Sequence, residues 1–100
     1  MSDKLLTFED FSDKVGQVFA INFADAPTVE LKLTEAELLK TRQLPPNGRP
    51  SFSLIFAGET EQMLPQRLYW LENDQMGQVE LFLVPVGKTP NGFEYQALFN

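Results

Sequence analysis

A chain of 100 residues, 43% hydrophobic and 22% charged, makes a single globular domain over 1–100 with a modest core, because a domain this small buries only about 60–70% of the surface its unfolded chain exposes. The absence of cysteine and histidine removes disulfides, thiolate nucleophiles, serine–histidine triads and the common zinc sites. A net charge of −6, from 14 acidic and 8 scattered basic residues, opposes binding to nucleic-acid backbones, and no segment approaches the roughly 20 apolar residues of a membrane span.

The first residues, Met1-Ser-Asp-Lys-Leu-Leu-Thr7, lack the long apolar core and small-residue cleavage site of a secretory signal, so a cytoplasmic location is expected, with 1–6 frayed. Thr7-Phe-Glu-Asp10 pairs a hydroxyl with an acid three residues later, the signature of a short capped helix. That helix would place Phe8, Phe11 and Val15 on one side and end at Gly16. A first strand over 17–23 alternates Phe19, Ile21 and Phe23 inward, and after the Ala24–Pro27 turn a second over 28–33 alternates Val29, Leu31 and Leu33. Thr34-Glu-Ala-Glu37 reads as a second capping box opening a turn or two of helix, although a strand could equally continue past Thr34.

Three prolines and a glycine make 41–50 a loop. A third strand over 51–57 buries Phe52, Leu54 and Phe56, and a fourth over 66–72 is rich in β formers. The Asn73–Gly77 turn leads into a long hairpin. From Val79 to Val86 both alternating sets are apolar, which predicts cover on both faces; from Phe93 onward Phe93, Tyr95, Ala97 and Phe99 form one inward set, with Leu98 the exception. Pro90 presets φ and Asn91-Gly92 tolerates φ > 0, the chemistry of a tight reversal ending in a bulge. The expected fold is therefore mainly β, with six antiparallel strands in a small sandwich or partly open barrel and a short N-terminal helix covering one end.

Little in the chain carries reaction chemistry. Glu59 with Glu61, and Glu72 with Asp74, are carboxylate pairs, but solvated turn charges account for both. The 73–77 turn lacks the alternating ligands and closing glutamate of a calcium loop, and Gly87-Lys-Thr lacks the first glycine and helix of a phosphate loop. No catalytic residue, cofactor or metal site is expected. Most of the nine phenylalanines fall on inward strand phases and read as core. Trp70 differs: if Tyr69 and Leu71 point inward with Arg67 at the margin, Leu68 and Trp70 point outward. They face either a partner or the chain's own 41–50 loop. Leu68, Trp70 and Arg67 are the candidate contact residues.

Together, Thr7-Phe-Glu-Asp-Phe11 with Val15-Gly-Gln-Val-Phe19, Phe52-Ser-Leu-Ile-Phe56, Leu64-Pro-Gln66 with Tyr69, Leu71 and Glu72, and Leu81-Phe-Leu-Val-Pro-Val-Gly87 with Tyr95-Gln-Ala-Leu-Phe-Asn100 resemble a family of small bacterial domains of unknown function across nearly the whole chain. The resemblance implies no activity, cofactor or catalytic residue. It implies a structural or assembly role, as an accessory to a phage-tail-like structure. The chain departs from the family pattern at Trp70 and Ala57, where the pattern carries arginine, and such a position implies an outward side chain. The expected function is a non-enzymatic module that binds another protein or itself, with no nucleic acid and no membrane. The alternative is a small-molecule or glycan binding domain with a pocket at the end of the barrel.

Overall fold

A computed structural model describes residues 6–39 and 51–99. It contains a helix α1 (Phe8–Ser12) and strands β1 (Val18–Ile21), β2 (Val29–Leu38), β3 (Phe52–Gly58), β4 (Arg67–Asn73), β5 (Gly77–Thr89) and β6 (Gly92–Phe99). The six strands expected from the sequence are the six observed, all antiparallel. They hydrogen-bond in the order β1-β2-β3-β6-β5-β4, and the ring closes where Ala20 pairs with Glu72 and Ile21 with Leu71. The loop expected over 41–50, and residues 1–5 of the fray expected over 1–6, lie outside the described residues.

Alternation along each strand puts one set of side chains inside the ring. Phe19, Leu31, Leu33, Leu54, Phe56, Leu71, Leu81, Leu83 and Tyr95 are buried there, and Phe19 meets Phe56 edge to face at 5.4 Å between centroids. Helix α1 fills one end of the ring. Its first turn is held as the sequence implies, with the Thr7 amide donating to Asp10 Oδ2 at 2.9 Å and the Thr7 hydroxyl to the same oxygen at 3.2 Å. This sets Phe11 against Phe19, Phe52 and Phe99, the last two of which stack at 4.4 Å. The other end is filled by Phe23, edge-on to Tyr69 at 6.4 Å, and by Leu64, whose amide donates to the Tyr95 hydroxyl at 2.8 Å.

Three local expectations change in the folded chain, and one left open is decided. Helix α1 stops at Ser12, so Val15 leaves its phase and is exposed; Gly16, at φ +96, turns the chain into β1. Of the two readings open past Thr34 the strand holds and the helix does not: β2 runs on to Leu38 against β3, from Leu33↔Phe56 to Leu38↔Phe52, with a bulge at Thr34. The Thr34 hydroxyl, free of any capping duty, donates to the Ile55 carbonyl at 3.1 Å. Pairing with a neighbouring strand outweighs a weak local helix preference.

Among the described residues strand β5 is covered on one face only: Val79, Leu81 and Leu83 are buried while Phe82 and Val86 are exposed, since a closed ring has a single interior. The β5–β6 turn, finally, needs no positive φ, because among the described residues only Gly16 and Gly77 have one. The irregularity sits instead at Pro85–Gly87. Gly92 is required for closeness: a Cβ there would collide with the Gly58 carbonyl and lie 2.9 Å from the Glu59 Cα.

Asn73, buried at the end of β4, ties two segments together. Its Oδ1 accepts from the amides of Gln75 and Met76 at 2.9 and 3.0 Å, and its Nδ2 donates to Gln17 Oε1 and the Val18 carbonyl, both at 3.1 Å. Asn73→Ala is expected to lower stability by about 1–3 kcal/mol, since it removes four part-buried hydrogen bonds at once. Gly92→Ala should cost about 2 kcal/mol or more by overpacking, whereas Val15→Ala should stay within about 0.5 kcal/mol. Urea denaturation midpoints check all three.

Candidate interaction surface

Strand β4 carries the candidate residues, and its alternation sorts them. Tyr69, Leu71 and Asn73 point into the ring; Leu68 and Trp70 point out of it. Leu68 sits directly opposite Phe82 of β5, and Trp70 opposite Glu80, which makes Phe82 the diagonal neighbour of Trp70. Leu68, Trp70 and Phe82 are 55%, 58% and 46% exposed, so three large apolar groups on two adjacent strands share one open face. Arg67 does not join them. It lies on the inward phase at the margin of the ring, its guanidinium 5.6 Å from the centre of the Tyr69 ring.

Trp70 also stands in the wall of an open groove of about 820 Å³ between α1 and the β4–β5 turn. Glu9 and Asp13 line it from the helix side, Met76, Val79 and Glu80 from the hairpin. A wide, half-apolar groove open to solvent suits a protruding side chain or peptide segment better than an enclosed small molecule.

Of the carboxylates singled out from the sequence, Glu72 has structural employment. Glu72 Oε1 accepts from Asn22 Nδ2 at 3.1 Å, and Asn22 Oδ1 in turn accepts from the Thr28 hydroxyl at 2.8 Å, so Glu72 pins the β1–β2 connection. The 73–77 turn directs Asn73 Oδ1 to its own backbone amides. No group of three acidic side chains capable of holding a metal ion occurs among the described residues. Among them, too, no helix is long and apolar enough to cross a membrane.

Sequence reasoning placed Phe82 inside and so missed it as a member of the surface. The signal was present in the turn: counting back equally on both sides of Asn73–Gly77 pairs Leu68 with Phe82. The groove was not readable, because its two walls, α1 and the β4–β5 hairpin, are distant in the chain and come together only in the fold.

Beneath the surface, Tyr69 anchors β4 by donating its hydroxyl to the Pro65 carbonyl at 2.6 Å. Burial raises its pKa above the ordinary value of 10.0, with nearby Arg67 offsetting part of the rise. Because the folded value is raised, the contribution is complete below pH 10.0 and is lost as pH climbs through the folded value. Stability should therefore fall on alkaline titration above that point, and Tyr69→Phe should show a smaller fall over the same range, read from urea midpoints at stepped pH.

Residues 6–99 match the model of a family described as a domain of unknown function, DUF6916. No curated protein and no solved structure matches the chain.

Proposed function

The chain belongs to the DUF6916 family, and from that premise, which brings no activity with it, we propose that it is a non-enzymatic docking module that binds another protein through the outer face of β4 and β5. The observation that carries this reading is the cluster of Leu68, Trp70 and Phe82, each about half exposed on a face set by a closed ring. Single exposed apolar residues are common, but a contiguous group that includes tryptophan is the composition of an interface anchor. A ring backbone holds these side chains at fixed spacing, which limits the entropy lost when a partner is bound.

A pocket inside the ring is less favoured. α1 with Phe11 fills one end and Phe23 with Leu64 the other, and the interior side chains between them are buried. The tail-like assembly implied by the family resemblance is one setting in which such docking would operate, and a cytoplasmic location is compatible with it.

Trp70→Ala and Leu68→Asp are expected to leave the fold intact, because both side chains point away from the core, with stability changed by about 0.5 kcal/mol or less. Both should weaken partner capture about tenfold or more, as loss of an interface anchor does. Affinity capture of the tagged protein from its host under native conditions, with each variant alongside, makes the measurement. Undiminished capture of the same partner by both variants would sink the proposal.

A further inference from the structure

Resting on the docking reading above, we infer that the partner presents a basic segment, and that the groove beside Trp70 receives its lysine or arginine side chains. The argument starts from which charges in the groove are already committed. Lys14 Nζ is bound to Asp13 Oδ1 at 2.7 Å, so the base that lines the groove is neutralised by its own neighbour. Asp10 accepts the Thr7 hydrogen bonds that cap α1. Glu9 and Glu80 are exposed and line opposite walls, one on the helix and one on the hairpin, with Trp70 directly across the strand from Glu80.

An indole face in one groove with two carboxylates is a receptor for a cation on an alkyl stem: the charge meets the carboxylates and the π face, while the methylenes lie on Trp70 and Met76. Around the corner, Leu68 and Phe82 offer the apolar contact that the rest of such a segment would cover. A second copy of this chain is a poor fit to the same site. Each copy carries a net charge of −6, so two copies repel as they approach, whereas a basic partner is drawn in.

The chain has a single tryptophan, Trp70, so its fluorescence reports on the site directly. The experiment titrates the intact protein with three tryptophan-free peptides of equal length, alternating leucine with lysine, with serine or with glutamate. The lysine peptide should shift the Trp70 emission and bind most tightly, and added salt should weaken it. Joint replacement Glu9→Lys and Glu80→Lys should reduce its affinity roughly fivefold or more, since each reversal turns an attraction into a repulsion. Glu61→Lys, an equal change of charge per site on the β3–β4 connection, should change it by less than about twofold. Glu80→Gln, which keeps the shape and removes the charge, should fall between these and guards against misfolding of the reversal variant.

Equal affinity for the serine or glutamate peptide, or an equal loss with Glu61→Lys, would overturn the basic partner while leaving the apolar face as a docking surface. If none of the three peptides moved the Trp70 signal, the inference and the reading beneath it would both fall.

Discussion

The ring depends on the shortest of its seams. Strand β1 is only four residues long, and it closes the sheet against β4 through two residue pairs, Ala20↔Glu72 and Ile21↔Leu71. If this seam opened, Phe19, Ile21 and Leu71 would lose their enclosure together, and burial of apolar surface is the main force holding so small a domain folded. The seam is therefore buttressed at both sides. Asn73 reaches across from the end of β4 to the Val18 carbonyl and the Gln17 side chain, and Asn22 bridges Glu72 to Thr28. Both buttresses use amide side chains, which donate and accept at once and so join two segments without burying a net charge.

From this closure follows the character of the outer surface. Fifteen apolar side chains are packed inside, and that uses the chain's large hydrophobic groups along the inward phase of every strand. Those left exposed where β4 pairs with residues 77–83 of β5, namely Leu68, Trp70 and Phe82, have no second layer above them among the described residues. Strand β5 also changes partner along its length. Residues 77–83 pair with β4 and 84–89 with β6, and the bulge at Pro85–Gly87 bends the strand as it changes partner. The apolar face belongs to the straight half, where the strands are regular and the side-chain spacing is fixed by the pleat.

The outward placement of Leu68 and Trp70 was legible because period-two alternation about Tyr69 and Leu71 admits only one assignment once either is buried. Arg67, a candidate contact residue that the same alternation sets at the margin with Tyr69 and Leu71, stays there beside the Tyr69 ring and does not join the outward pair. Phe82 was hidden by composition. An apolar run such as 79–86 carries no alternation, so hydrophobicity alone does not say which set faces inward. The acidic groove was hidden more deeply, since Glu9 and Glu80 are far apart in the chain and line one groove only in the folded ring, with Phe11 packed against its end.

By itself the sequence determined the six strands and their order, the capped helix at Thr7, and turns at 73–77 and 90–91, while leaving helix or strand open after Thr34. Those features are set by interactions within a few residues, namely caps, alternation and turn chemistry, and so they are written locally. Tertiary structure decided the rest. It extended β2 through Thr34 because β3 offered a full ladder, it required glycine at position 92 because the Gly58 carbonyl lies against it, and it joined β1 to β4. Which strand lies beside which, and which apolar residues remain uncovered, depends on contacts between residues distant in the chain. Local pattern carries no record of such contacts until the core has formed.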